Sequence, residues 1–99
     1  MPTHGKARET TVNNLRNLTP FQRAGFAMSG ISGKFNGTGR MQGETLAEYM
    51  GAQDVIYTVL SYGTPIAWVA KGDVVVIPED KYSVTTTNHQ NMCRVYLNS

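Results

Sequence analysis

The sequence predicts a small α+β domain, in which an antiparallel β-meander of about four to five strands is packed by one or two short helices. Its 99 residues are the length of one domain. Between residues 54 and 85, short β-branched and aromatic runs alternate with turn residues. Outside that region, two segments carry helical spacing or capping signals. A chain of this length buries roughly two-thirds of its unfolded surface, which is enough for a core without metals or disulfides.

The meander is predicted from residues 54–85. Residues 55–60 are β-branched and aromatic, and residues 66–70 resume the pattern after a Gly- and Pro-containing turn. Residues 74–77 are continuously apolar, which favours a strand that is buried on both faces or central in the sheet. A last short strand is expected over residues 81–85. Short connections between successive strands make neighbouring strands antiparallel, so a meander follows.

A short helix is predicted over residues 44–53. Leu46, Tyr49 and Met50 share one helical face at spacings of three and four. Gly51 follows as a terminator.

The C-terminal segment is ambiguous between helix and strand. Thr87 and Gln90 form a capping box, which would open a helix over residues 88–97. The alternation of Cys93 with the apolar residues that follow it fits a strand instead. We prefer the helix.

The N-terminal segment has weak signals. Residues 1–14 are polar and aperiodic, so we expect a flexible tail followed by a single domain over residues 15–99. Apolar residues spaced by three between positions 12 and 23 predict a helical turn. Pro20 would end that turn or start a second one capped by Thr19.

Glycines are concentrated in residues 25–43. Their spacing matches neither a phosphate-binding P-loop nor the dinucleotide-binding fingerprint. Turns and bulges in strands or a loop are therefore preferred over a phosphate cradle.

The chain shows no catalytic or metal-binding constellation. It has one cysteine, two distant histidines and no suggestively paired carboxylates. A helix would place His89 and Cys93 on one face, but a small buried thiol is preferred over a nucleophile. We therefore expect no enzymatic activity, no cofactor and no metal.

The charge is unevenly distributed along the chain. Residues 1–40 contain six basic residues and one acidic residue, a net charge of +5, whereas residues 41–99 contain three basic and six acidic residues, a net charge of −3. The asymmetry is typical either of an anion-binding segment or of halves that attract each other, and we prefer the second interpretation. The first would support a nucleic-acid site formed by Arg8, Arg16, Arg23, Lys34 and Arg40.

No membrane segment is expected. No apolar run approaches the roughly 20 residues that span a bilayer, and the N-terminus lacks a hydrophobic signal core. The sequence therefore predicts a cytoplasmic protein.

Two strings in and after the meander carry a family resemblance. SYGTPIAW at residues 61–68 and KYSVTTTNHQ at residues 81–90 resemble a family of short proteins of unassigned function from actinobacteria and their bacteriophages. The resemblance covers residues 55–90. It implies a phage accessory protein made in the host cytoplasm, and it implies no activity.

These strings also supply the candidate binding residues. Their hydroxyl, amide and imidazole groups would converge at one end of the sheet, where they could bind a small polar ligand or a protein loop. The alternative is structural, with aromatic residues covering a sheet face and the histidine hydrogen-bonded. The candidates are Tyr62, Thr64, Trp68, Tyr82, Thr86, His89 and Gln90.

The expected function is therefore binding. We expect an accessory protein of phage type that binds a host protein or a small polar or nucleotide ligand, for host takeover or anti-defence. A homo-oligomer formed through a sheet edge or through residues 74–77 would fit as well. The alternative is a small nucleic-acid-binding protein that uses the basic first 40 residues.

Overall fold

The structure is a computed structural model that describes residues 11–23, 26–35, 43–78 and 84–98. Helix α1 occupies residues 11–17. The remaining elements, in chain order, are β1 (Phe21–Arg23), β2 (Phe26–Ser32), α2 (Gly43–Gly51), β3 (Val55–Ser61), β4 (Thr64–Ala70), β5 (Val74–Val76) and α3 (Val84–Tyr96).

The five strands form one antiparallel sheet in the order β1-β2-β3-β4-β5. Each strand therefore pairs with its neighbours in sequence, and the predicted α+β meander is confirmed. Within the described ranges three helices pack on it, rather than one or two. None of the helices within the described ranges is long and apolar enough to cross a membrane.

The identity of the strands differs from the prediction at both ends of the meander. Residues 21–23 form β1, not a second helical turn, and the glycine-rich stretch supplies β2. The strand expected over residues 81–85 is wrong at Val84 and Thr85, which begin α3, while residues 81–83 lie outside the described residues. The threonine run explains the error, since β-propensity is overridden when tertiary packing favours a helix.

The predicted tail of residues 1–14 is wrong for residues 11–14. These residues are helical, and Thr11 and Leu15 are fully buried. The backbone N–H of Asn98 donates to the carbonyl of Leu15 at 3.0 Å, which joins the C-terminal end of α1 to the residues after α3. Residues 1–10 lie outside the described residues.

The C-terminal segment is the predicted helix, but it begins four residues earlier than expected. Thr87 therefore lies inside α3 and is not its N-cap. The strand-like alternation of Cys93, Val95 and Leu97 does not produce a strand. It separates two buried residues from Val95, which is exposed.

Strand β5 lies at the edge of the sheet, so the prediction of a central strand is wrong. Among the described strands it pairs only with β4, and Val74 and Val75 are exposed. A continuous apolar run predicts burial but does not say how many neighbours the strand has. The homo-oligomer expected through this region stays a prediction.

The sheet has helices on both faces. Alternate residues of a strand point to opposite faces, so Tyr57, Val59 and Ser61 share one face while Thr58 and Leu60 share the other. The first, here the two-helix face, packs against α1 and α3. Its buried core consists of Leu15, Met28, Tyr57, Val59, Ile66, Ala67, Val69, Cys93 and Leu97.

The opposite face, here the one-helix face, is covered by α2. Its core pairs Tyr49 of α2 with Trp68 of β4, whose ring centroids are 4.8 Å apart in an edge-on arrangement. Leu46 packs against this pair as predicted, but Met50 is 61% exposed. Met50 is next to Tyr49, one-quarter turn around the helix, which is enough to take it off the buried stripe.

Candidate functional site

The end of the sheet where β3 turns into β4 brings together much of the predicted site. Ser61 is the last residue of β3 and pairs with Thr64, the first residue of β4. Thr86 and His89 are three residues apart in α3, so they lie on one side of that helix and both reach Ser61. The convergence expected from the two sequence strings is therefore present for Thr64, Thr86 and His89.

The three polar side chains form a buried hydrogen-bonded network. The Ser61 hydroxyl lies 3.0 Å from the Thr86 hydroxyl and 2.8 Å from Nδ1 of His89. A hydroxyl can donate to one neighbour and accept from the other, so Ser61 can satisfy both contacts. Thr86 and His89 have further interactions besides these. The network joins the sheet to α3 and satisfies polar groups that would otherwise be costly to bury.

Burial disfavours the charged form of His89. The side chain is only 5% exposed, and desolvation lowers the pKa of His89 from its ordinary value of 6.5. A neutral imidazole has one donor and one acceptor nitrogen. The Ser61 hydroxyl can bond to Nδ1 in either role, because a hydroxyl both donates and accepts.

Tyr62 lies at the surface of this network. Tyr62 and Gly63 form a two-residue loop with φ angles of 51° and 76°. Two positive φ angles identify a type I′ hairpin turn, whose first position favours Asn or Gly over a bulky residue. The Tyr62 side chain is nevertheless 58% exposed, and its ring centroid lies 6.5 Å from that of His89.

Gln90 and Thr64 are both buried in the described fold. The Gln90 amide donates from Nε2 to the carbonyl of Pro78 at 3.0 Å, and the residue is 2% exposed. This bond ties α3 to the chain that follows β5. Thr64 is also 2% exposed and has an interaction of its own.

One described candidate lies away from this cluster. Trp68 is buried on the one-helix face against Tyr49, because it pairs with Thr58 rather than with Ser61 or Tyr57. Tyr82 lies outside the described residues. The sheet itself therefore separates the Trp68 ring from His89.

Ser61 is the central residue that the sequence prediction missed. It stands directly before Tyr62 in the string at residues 61–68 and directly after the strand predicted over residues 55–60, so it was not counted among the strand residues. The signal that could have found it is the alternation of side chains along the strand. Ser61 is two residues from Val59 and four from Tyr57, so it shares their inward face.

The basic residues of the alternative nucleic-acid site are only partly described. Arg16 stacks over the ring of Tyr96 at 5.3 Å from its centroid. Lys34 donates to the carbonyls of Met50 and Ala52 at 2.8 and 2.9 Å, which caps the C-terminal end of α2. These two side chains belong to opposite faces of the sheet. Arg8 and Arg40 lie outside the described residues, as does the side chain of Arg23.

The single thiol is buried in the core of the two-helix face. Burial raises the pKa of Cys93 to about 12, although the nearby Arg94 opposes this shift. A thiol with such a pKa is protonated at neutral pH and is a poor nucleophile. Within the ranges that the structure describes, no group of three His, Cys, Asp or Glu side chains could hold a metal ion.

The chain was compared with known families, curated proteins and solved structures. No curated protein and no solved structure matches it significantly. One family, described as a family of unknown function (DUF8033), matches residues 9–94. This match spans both described faces of the sheet and the whole Ser61 network. The chain therefore belongs to the DUF8033 family of unknown function.

Proposed function

We propose that this chain is a non-enzymatic binding protein that recognises a partner protein through the β3–β4 turn, with Tyr62 as the anchor. The resemblance of residues 55–90 to short actinobacterial and phage proteins favours a host protein as that partner. In this proposal the chain acts as a phage accessory protein, in host takeover or anti-defence.

The observation that carries the proposal is the position of Tyr62. A tyrosine that is 58% exposed occupies a turn position with a φ of 51°. Such a backbone conformation costs a bulky residue about 1 kcal/mol, and Asn would adopt it more easily. Strained residues of this kind concentrate at functional sites, and exposed tyrosines are enriched among the residues that dominate interface affinity.

The residues that hold the β3–β4 turn make Tyr62 suitable as an interface anchor. Ser61 precedes it in the chain and is held by Thr86 and His89 of α3. A side chain on a firmly attached turn loses less freedom on binding than one on a loose loop. The network thus supports recognition by holding the turn, whereas Tyr62 supplies the contact area.

The same network is poorly arranged for catalysis. A serine beside a histidine suggests a nucleophile and its base, but Ser61 is 1% exposed and His89 is 5% exposed. A substrate atom would have to approach within about 3 Å of the serine oxygen, which this burial prevents. The geometry therefore favours binding over acyl transfer.

The experiment is capture of partners from an actinobacterial lysate by three purified proteins. Tyr62→Asn removes the ring and keeps a residue suited to the turn. Met50→Gln is the matched control, since Met50 is 61% exposed on the opposite face. We expect wild type and Met50→Gln to retain the same protein and Tyr62→Asn to lose it, with the direct interaction then measured between purified components.

Two results would contradict the proposal. The first is a Tyr62→Asn protein that is folded and retains every partner of the wild type. The second is binding to random DNA and RNA that weakens steeply with salt, which would instead support the nucleic-acid alternative.

A further inference from the structure

The one-helix face has an open pocket, here called the cavity, that the Tyr62 site does not use. It has a volume of about 510 Å³ and lies over β1, β2 and β3. Its lining includes Pro20, Gln22, Ser29, Ile31, Phe35 and Leu60. Cavities of 300–1,000 Å³ are the usual size of small-molecule sites, so the volume suits one ligand of a few rings.

The cavity exists because α2 covers only part of the one-helix face. Tyr49 packs on Trp68 of β4 and hydrogen-bonds to Thr58 of β3, so the helix lies toward that side of the sheet. The register places Ser29 opposite Leu60, and Gln22 opposite Ser29. The side chains of Gln22, Ser29 and Leu60 point to the same face as Thr58. They lie on β1, β2 and β3, whereas Trp68 lies on β4.

One wall of the cavity is fixed by hydrogen bonds. The backbone N–H of Phe35 donates to the Tyr49 hydroxyl at 2.6 Å, and that hydroxyl lies 2.9 Å from the Thr58 hydroxyl. The Thr58 hydroxyl in turn donates to the carbonyl of Gly33 at 2.9 Å. The half-buried Phe35 ring is therefore carried by a backbone that is tied to both α2 and β3, which makes this wall pre-formed.

The polar groups in the cavity indicate the chemistry of its ligand. Gln22 and Ser29 are cross-strand partners, so their side chains lie next to each other on this face. Neither side chain forms a hydrogen bond with another residue of the described ranges. An amide offers a donor and an acceptor together, which is the complement of the amide or amidine edge of a heterocycle.

The absence of charge among the described lining residues indicates an uncharged ligand. No described residue that lines the cavity is charged, and the ammonium group of neighbouring Lys34 is engaged by two carbonyls of the α2 end. A phosphate or carboxylate would find no counter-charge among these residues. Leu60, Ile31 and the Phe35 ring offer apolar area for a flat ring instead.

We infer that this cavity binds an uncharged, flat heterocycle of the nucleobase or nucleoside class, with its polar edge on Gln22 and Ser29 and its ring beside Phe35. The site is separate from the Tyr62 turn and does not depend on the function proposed for that turn. It would give the protein a small-molecule ligand in addition to a protein partner.

The test is titration of the isotopically labelled full chain with adenosine, guanosine, cytidine and uridine, each beside its 5′-monophosphate, followed by NMR. We expect at least one nucleoside to shift the amide signals of Ser29, Ile31 and Leu60, with a dissociation constant below about 1 mM. The nucleoside should bind at least as tightly as its monophosphate. Phenol, which has a ring but no amide edge, should not produce these shifts.

Two variants test the proposed hydrogen bonds from Gln22 and Ser29 to the nucleoside. Gln22→Ala and Ser29→Ala should each weaken nucleoside binding roughly tenfold, the usual effect of one hydrogen bond. Gln22 is exposed, so its replacement leaves the core intact. Met50→Gln and Tyr62→Asn should bind as wild type does, which separates this site from the proposed protein-binding surface.

Three results would overturn the inference. One is the absence of shifts at these amides with all four nucleosides at millimolar concentration. Another is a monophosphate that binds more tightly than its nucleoside, because that requires recognition of charge. The last is unchanged nucleoside affinity in both the Gln22→Ala and Ser29→Ala variants.

Discussion

The hydroxyl of Ser61 lies 2.8 Å from Nδ1 of His89, which connects the last residue of β3 to the second turn of α3. Twenty-eight positions separate the two residues in the chain. The contact therefore holds the C-terminal helix against the end of the sheet from which the Tyr62 turn projects. Its stability depends on the protonation of His89, since a buried imidazolium would lose solvation.

Acid should weaken the fold through His89. Its pKa is lowered from 6.5 by burial, so the unfolded chain takes up this proton more readily than the folded one. The stabilisation is complete above the unfolded pKa and is lost as the pH falls toward the folded value. We expect the free energy of unfolding in urea to decrease from about pH 7.5 to about pH 5.

His89→Gln should be less sensitive over the same range, because an amide can bond to Ser61 and does not titrate. His4→Gln removes the other histidine and is the control, which should keep the wild-type dependence. An equal slope in the wild type and His89→Gln would show that His89 does not cause the effect.

Tyr62→Asn should stabilise the protein. Asn adopts the positive φ of a type I′ turn more easily than Tyr, so we expect a gain of about 0.5–1 kcal/mol in the free energy of unfolding. Gly63→Ala is a control that should have the opposite effect on stability. Gly63 has a φ of 76°, and a side chain there should destabilise the turn by about 1 kcal/mol. A loss of stability in Tyr62→Asn would mean that the ring is a structural contact rather than an exposed anchor.

Gly30 and Tyr57 should be strongly coupled. A Cβ at Gly30 would overlap the Tyr57 hydroxyl and would lie 2.8 Å from the Phe21 ring. The absence of a side chain lets this hydroxyl pass β2 and donate to the carbonyl of Thr19 at 2.8 Å. Gly30→Ala should therefore cost about 1–3 kcal/mol through overpacking.

A double-mutant cycle in urea tests that cause. Tyr57→Phe removes the hydroxyl that meets the added methyl group, at the loss of one hydrogen bond. The double variant should be more stable than the sum of the two single effects by about 1 kcal/mol. Simple additivity would show that Gly30 is required for another reason.

Cys93 should react only when the fold opens. Its thiol is 1% exposed, and burial raises its pKa to about 12. A thiol reagent at mildly alkaline pH should therefore modify the native protein far more slowly than the unfolded chain. Leu15→Ala, which leaves a void in the same core, should speed the reaction. Native reactivity equal to that of a free thiol would contradict the buried position.

The sequence predicted the regular parts of the fold better than its edges. Strands β3 and β4 and helix α2 were expected within two residues of their observed bounds, because each has a clear period and a turn signal beside it. The edge position of β5 was not predictable from a run of valines. The start of α3 was hidden by threonines, whose intrinsic preference for strands is weaker than the packing of His89 and Cys93.

The candidate site shows the same division. The two strings correctly predicted that residues near Tyr62 and His89 would meet, since both flank the meander. They did not show that Trp68 lies on the opposite face of the sheet from His89. The face that a strand residue occupies depends on the register of its strand. Ser61 was missed because its role is defined by partners 25 and 28 positions away.

By itself, the sequence determined that this chain is an α+β meander, since local periodicity and turn residues act over a few neighbouring positions. It also determined the neutral, polar character of the residues around the turn. Only the tertiary structure decided which face each strand residue occupies, how far α2 covers the sheet, and where a cavity remains. Those features arise from pairing register and helix packing, which are set by contacts between residues distant in the chain.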